Sequence, residues 1–190
     1  MTAWSGCTAK KTGEVRIIGG QWKRTKLSVA DVAGLKPTPD RVRETLFNWL
    51  GQHLQGLRCL DVFAGTGALG FEAASRGAKQ VFLLEKNRMA CNHLQKIQKQ
   101  LNADQVHVLC ADGLQFLQTD QGEEWDLIFL DPPFDLNVFE YALQMAQSKM
   151  SASGAIYLES NRLIEPPPGL IYYRRARAGA VHYALLMQEK

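Results

Sequence analysis

From Leu57 onward the chain alternates short apolar runs with amphipathic stretches, and that rhythm is the tightest constraint on its fold. The apolar runs at Leu57 to Phe63, Gln80 to Leu84, Val106 to Leu109, Trp125 to Leu130 and Ala155 to Leu158 read as strands. Between them Ala68 to Arg76, Asn87 to Leu101, Gly113 to Leu117 and Val138 to Met150 read as helices. Units of this kind build a parallel, doubly wound sheet with helices on both faces. After Pro166-Pro167-Pro168-Gly169 the rhythm changes. Leu170 to Arg177 and Val181 to Met187 are joined by Ala178-Gly179-Ala180, which leaves no room for a crossover helix. The expected fold class is therefore α/β, doubly wound and mostly parallel, with seven strands and an antiparallel hairpin at the end.

Ahead of that body, residues 1–13 are polar and unpatterned and are expected to form a mobile terminus. Residues 14–36 read as a basic arm. Val15 to Ile18 and Lys23 to Val29 are two short strands around the turn Gly19-Gly20-Gln21-Trp22, with an exposed Trp22 that either stacks on a base or packs the hairpin onto the domain. Residues 37–190 form the main domain, which opens with Pro37-Thr38-Pro39-Asp40 and a helix to about His53, with Thr38 or Asp40 as its N-cap. The arm concentrates charge. Residues 10–43 hold nine Lys/Arg, Lys36 among them, against three acids, or +6, so that the remainder of this +3 chain is −3. A basic front on a neutral-to-acidic body is the electrostatic footprint of a phosphate-backbone partner, and equally of a solvated surface.

Several classes are disfavoured. The 190 residues suffice for one full core but not for a separate substrate domain of ordinary size. No window stays apolar for the roughly 18 residues a membrane span needs, and Met1 to Ala9 lack a secretory pattern, so the expected location is cytoplasmic. Cys7, Cys59, Cys91 and Cys110 form no Cys-x-x-Cys and are expected to be reduced thiols. The four histidines form no His-x-x-x-His pair, and no metal is expected.

The first strand runs into Asp61-Val62-Phe63-Ala64-Gly65-Thr66-Gly67-Ala68-Leu69-Gly70, a G-x-G-x-x-G between strand and helix. Glycines there let backbone approach a ligand at a helix N-terminus. The same string suits a dinucleotide pyrophosphate or the methionine portion of S-adenosylmethionine. Glu85 ends the second strand, where an acid can accept both ribose hydroxyls. Asp112, followed by Gly113, ends the third, where a carboxylate can take an adenine amino group. Three acids ending successive strands face one crevice. The fourth strand, buried on both faces, delivers Asp131-Pro132-Pro133-Phe134 to the same edge.

In this order, with the closing hairpin, Asp61, Gly65, Gly67, Glu85, Asp112 and Asp131-Pro132-Pro133-Phe134 resemble a class I S-adenosylmethionine-dependent methyltransferase of the amino-methylating kind. Arg16-Ile17-Ile18-Gly19-Gly20 and the run from Pro37-Thr38 through Asp40-Arg41-Val42-Arg43-Glu44-Thr45-Leu46-Phe47-Asn48 are more specific. They are similar to the bacterial small-subunit ribosomal RNA methyltransferase D family, over about Glu14 to Met187. The resemblance implies a Rossmann-like sheet and methyl transfer from S-adenosylmethionine to N2 of a guanine in 16S rRNA, with S-adenosylhomocysteine as product. It assigns Asp61, Ala64, Gly65, Thr66, Gly67, Glu85, Asp112 and Gly113 to the cofactor and Asp131 to Phe134 to the amine. Arg16, Trp22, Lys23, Arg24, Thr38, Arg41 and Arg43 are the expected RNA-binding residues. The implied partner is 16S rRNA in a small subunit carrying ribosomal proteins, met by a monomer.

Two rival readings use the same residues. An NAD-dependent oxidoreductase would use the glycines and Glu85, but hydride chemistry does not need Asp-Pro-Pro-Phe. An amino-methyltransferase of DNA adenine usually carries a target-recognition insert, for which this chain has no spare length.

Overall fold

The computed structural model describes residues 13–32, 35, 37–119, 122, 124–134 and 138–189. Lys10, Lys11 and Lys36, counted in the basic arm, and nearly all of the expected mobile terminus lie outside them. The elements in chain order are β1 (Glu14–Arg16), β2 (Lys26–Ser28), α1 (Asp40–Leu50), β3 (Arg58–Asp61), α2 (Ala68–Ser75), β4 (Gln80–Leu84), α3 (Arg88–Gln100), β5 (Val106–Leu109), α4 (Gly113–Thr119), β6 (Trp125–Leu130), α5 (Phe139–Gln147), β7 (Met150–Ser160), β8 (Leu170–Ala178) and β9 (Val181–Gln188).

Seven strands form one sheet in the order β5-β4-β3-β6-β7-β9-β8. The first five are parallel, and β9 inserts antiparallel between β7 and β8. The order in which successive strands are added reverses across the parallel β3–β6 pair, where Cys59, Leu60 and Asp61 lie opposite Leu127, Ile128 and Phe129. That pair is the topological switch point, and the crevice beyond its carboxyl ends is where a sheet of this kind takes a ligand. Each face carries a core. Cys59, Phe129, Tyr157 and Leu185 pack against α1, α2, α3 and the N-terminal strands, while Leu60, Ile128, Leu158 and Leu186 pack under α4 and α5. Among the described residues no helix is long and apolar enough to cross a membrane.

The expected final strand of the parallel set, Ala155 to Leu158, is longer in the fold. β7 begins at Met150 and continues to Ser160. Its first residues pair beside Trp125 through a register shift, and Ser151 donates to Asp126 Oδ1, so polar contacts extend the strand where the apolar pattern stops.

The basic arm docks rather than projects. The turn after β1 lies against the last residues of α2. Gln21 N donates to the Ser75 carbonyl at 2.7 Å, and Trp22 N donates to Ser75 Oγ at 3.0 Å. Gly20 has φ +72°, and a Cβ there would stand 1.8 Å from the Ser75 carbonyl oxygen, so only glycine permits the approach. Trp22 is half-buried rather than exposed, and it packs the hairpin onto the main core, one of the two roles expected of it. A carbonyl left open at a helix C-terminus needs a donor, and this turn supplies one.

A second departure concerns α1. Neither Thr38 nor Asp40 caps it, and its N-cap is Pro39 without a side-chain bond. Arg43, expected on the RNA side, is 0% exposed. Its guanidinium donates to the Arg16 and Thr38 carbonyls, to Asp40 and to Glu72. Glu72 in turn accepts from Ile18 N at 2.9 Å and pairs with Arg76 at 2.8 Å. A cation at the center of this net has no surface left for RNA. Removing one member of a buried ionic net strands the others, so Glu72→Leu is expected to lower stability by about 3–5 kcal/mol in urea unfolding. A loss below about 1 kcal/mol would show that the net is not what fixes the arm.

Candidate active site

The crevice is built from strand ends. β3 delivers Asp61, which is buried, and Asp61 Oδ2 accepts from Gly70 N at 3.2 Å. The glycine loop therefore closes back onto the acid that precedes it. Gly67 has φ +75° and serves as N-cap of α2, a left-handed cap that favours glycine. Ala64 N donates to the Leu84 carbonyl at 2.9 Å, and Thr66 is buried in the loop. β4 delivers Glu85, half-buried at its end. Glu85 Oε2 accepts from Gly65 N at 3.0 Å and Oε1 from Asn87 N at 2.6 Å, which fixes the carboxylate over the loop.

Asp112 stands three residues beyond the end of β5 rather than on it. Its Oδ1 accepts from Leu114 N at 2.9 Å and Gln115 N at 3.1 Å, capping α4. That carboxylate thus has a structural task in addition to any ligand, and the task falls on Oδ1. Gly113 is buried behind it.

β6 delivers the tetrapeptide. Asp131 is half-buried and Pro132 buried, while Pro133 and Phe134 reach the surface. Phe134 is 37% exposed and its ring lies 6.3 Å from that of Phe139. The Thr38 hydroxyl, buried just before α1, donates to Asp131 Oδ2 at 3.3 Å. Among the expected RNA-side residues, Thr38 is the one brought against Asp131. Arg16 and Arg41 are exposed near the start of the domain. Lys23 and Arg24 are exposed but sit with Ser75 at the far end of α2, an eight-residue helix about 12 Å long that begins at the crevice.

Glu159 lies beyond the strand that the run Ala155 to Leu158 predicts. It is buried on β7 and accepts from the Tyr157 hydroxyl at 2.8 Å. The sequence carried a signal for it, since it is one more acid directly after an apolar run. Glu159 changes the electrostatics of the site. Burial pushes the Asp131 carboxyl well above the usual carboxylate range, and the negative charges of Glu159 and Asp61 push it further, against a lowering hydrogen bond from Thr38. Burial likewise raises Glu159, with Tyr157 opposing. Asp61 is raised from 3.8 to about 7, chiefly by burial, with the Gly70 hydrogen bond opposing and Glu85 adding.

These residues fit S-adenosylmethionine. Asp61 Oδ1 is a buried acceptor without a partner among the described residues. Carboxylates crowded this closely gain from a cationic ligand, and a sulfonium with an ammonium supplies two positive groups. An anionic pyrophosphate would add to the crowding, which weighs against a dinucleotide. Among the described residues no three His, Cys, Asp or Glu are placed to hold a metal ion.

The sheet order and its acid-lined switch point are those of the Rossmann-like methyltransferase class. The solved Escherichia coli protein yhhF superposes with a TM-score of 0.85 at 38% identity, covering 93% of this chain and 99% of that one. A Thermus thermophilus 16S rRNA N2 methyltransferase solved with AdoMet and guanosine shares the fold, with a TM-score of 0.72 at 21% identity over 95% of this chain and 50% of its own. Residues 15–187 match the family described as conserved hypothetical protein 95, and the chain belongs to that family. It is 40% identical to the ribosomal RNA small subunit methyltransferase D of Haemophilus influenzae over 94% of this chain and 96% of the relative. The Escherichia coli protein of that name is also 40% identical, over 94% of this chain and 92% of its own.

Asp61 offers a pH test. The folded chain retains a proton on Asp61 that the unfolded chain releases between 3.8 and about 7, so its contribution falls as pH rises through that window. In ligand-free protein, Asp61→Asn should gain stability relative to the parent, on the order of 3 kcal/mol, between about pH 5 and 8. A difference that does not change with pH in thermal melts would contradict the assignment.

Proposed function

We propose that this protein is a ribosomal RNA methyltransferase that transfers a methyl group from S-adenosylmethionine to the exocyclic N2 amine of a guanine in 16S rRNA. The observation that carries this reading is Asp131-Pro132-Pro133-Phe134 at the switch point, beside the glycine loop and braced by Thr38. Near full-length similarity to small-subunit rRNA methyltransferases supports the choice of RNA. The working partner is 16S rRNA within an assembled or assembling subunit carrying ribosomal proteins, met by a cytoplasmic monomer.

When bound, S-adenosylmethionine supplies an electrophilic methyl group and leaves as S-adenosylhomocysteine. Asp61, Ala64, Gly65, Thr66, Gly67, Glu85, Asp112 and Gly113 would hold it. The remaining chemistry is orientation. The lone pair of a guanine amine is delocalised into the ring, which makes it a poor nucleophile. The Asp131 carboxylate and the Pro132 carbonyl accept its two N–H bonds, aiming the lone pair along one line. The Thr38 hydroxyl occupies Oδ2, which leaves Oδ1 for the amine. The consecutive prolines fix φ, so the acceptors are set before substrate arrives. Phe134 presents a partly open ring on which a base drawn out of its stack can rest, worth about 1–3 kcal/mol. The methylated amine is acidic enough to lose its proton to water, so Asp131 acts as an acceptor that orients.

Replacing Asp131 by Ala should lower the rate of methyl transfer about 100-fold or more while S-adenosylhomocysteine binds with nearly parental affinity. Turnover measured with methyl-labelled cofactor, together with calorimetric titration, checks both halves. Unchanged turnover would remove Asp131 from the site, and binding of NAD in place of S-adenosylhomocysteine would defeat the whole reading.

A further inference from the structure

Lys23 and Arg24 dock at the far end of α2, away from the crevice, whereas a different group of arginines stands on the crevice side. Ser160, the last residue of β7, pairs with His182 of β9, and β8 pairs Arg177 with His182 and Arg175 with Ala184. Paired residues in a ladder point to the same face of a sheet. Leu158, Ala184 and Arg175 therefore form one cross-strand row, and Ser160, His182 and Arg177 form the next. Leu158 is also the partner of Leu130, the residue before Asp131, so both rows lie at the sheet edge that carries the tetrapeptide. The tip of the β8–β9 hairpin turns at that same edge.

The rows floor a cavity of about 380 Å³, within the range of small-molecule sites at roughly 300–1,000 Å³. Ile164, buried, and Leu163, 44% exposed, wall one side, and the Tyr172 hydroxyl donates to the Ile164 carbonyl. The Arg175 guanidinium lies 5.2 Å from the Tyr172 ring center. Arg177, exposed, donates from Nε to the Gly179 carbonyl at 2.7 Å, a bond that does not use its two outer nitrogens. Neither Arg175 nor Arg177 forms an ion pair among the described residues. Charges on an edge strand also prevent edge-to-edge pairing, but that duty requires no apolar cavity beside them. An apolar recess rimmed by unpaired arginines matches a nucleotide, with a base for the recess and a phosphate for the rim. Between the tetrapeptide and the recess stand Phe139, whose ring lies 6.3 Å from that of Phe134, and Arg162, which precedes the lining residue Leu163 and lies over the Phe139 ring at 5.9 Å while pairing with Glu140. Across the sheet, β8 is three strand spacings from β6, about 14 Å.

We propose that this recess holds a nucleotide of the RNA strand flanking the target guanine, its base against Leu158, Ile164 and Tyr172 and its phosphate on Arg175 and Arg177. The inference rests on the RNA methylation proposed above and adds a second grip, on the C-terminal hairpin.

The test uses the full chain carrying Arg175→Gln and Arg177→Gln, with small subunits purified from cells lacking the enzyme as substrate. The KM for subunits should rise about tenfold while kcat stays within about twofold, as expected for the loss of two phosphate contacts. Binding of a fluorescent single-stranded RNA should lose about 1.4 from its salt-dependence slope. Arg175→Lys with Arg177→Lys should recover most of that slope, a rescue that a purely structural role does not predict. Unchanged melting temperature and S-adenosylhomocysteine affinity establish that the variant is folded. If the double variant melts early, exposed Arg177→Gln alone carries the test with about half the slope change. A folded variant with parental KM and slope overturns this inference and leaves the methylation reading standing. Parental enzyme that transfers no methyl group to any small-subunit RNA overturns the methylation reading instead.

Discussion

The contact on which most of the structure depends is the buried pairing of Arg43 with Glu72. One guanidinium reaches the Arg16 carbonyl on the arm, the Thr38 carbonyl before α1, Asp40 on α1 and the α2 carboxylate, so a single node ties the arm and α1 to the body. Taking both charges out of water is costly and is tolerated only because nearly every donor finds an acceptor. What the node secures is position. It clamps the backbone of Thr38, whose hydroxyl reaches Asp131, and Glu72 lies on the helix that begins at the glycine loop. The segment that braces Asp131 and the glycine loop are thereby fixed against one another.

The second constraint is the crowding of carboxylates at the carboxyl ends of β3, β6 and β7. Burial raises the proton affinity of Asp61, Asp131 and Glu159 alike, and the charges of Glu159 and Asp61 raise that of Asp131 further. Such a cluster costs stability in the empty protein and favors a cationic ligand, which is how sites commonly hold perturbed groups for a task performed only when they are filled. Helix α4 adds rigidity from the other side, because Asp112 caps it and so is held at the rim of the same crevice.

Much of this was legible in the sequence because it follows from periodicity. The strand–helix alternation, the glycine loop after β3 and the short connection before β9 dictate a mostly parallel sheet with an antiparallel end and place Asp61, Glu85 and Asp131 at one edge. What the pattern hid was hidden for physical reasons. Arg43 reads as a helix-start charge, yet it lies at i, i+3 and i+4 spacing with Leu46 and Phe47, both buried, and its partner Glu72 is a lone acid in the otherwise apolar α2. Trp22 reads as an exposed ring because nothing local reveals that the turn around Gly20 completes the end of a helix more than 50 residues away. Glu159 fell outside its strand because apolar runs mark the buried part of a strand and not its end. The charge count likewise pointed to the arm, while Arg175 and Arg177 of the hairpin stand at the sheet edge that carries the tetrapeptide, where only the antiparallel register brings them.

The central claim is that the crevice methylates a guanine amine in small-subunit RNA. Small subunits from cells lacking the enzyme, treated with the pure protein and S-adenosylmethionine, can be digested to nucleosides and analysed by mass spectrometry. The account predicts that the methyl group appears as N2-methylguanosine in the 16S rRNA and in no other nucleoside. A methyl group found on adenosine, on a ring nitrogen of guanine, or only in the ribosomal proteins would contradict it.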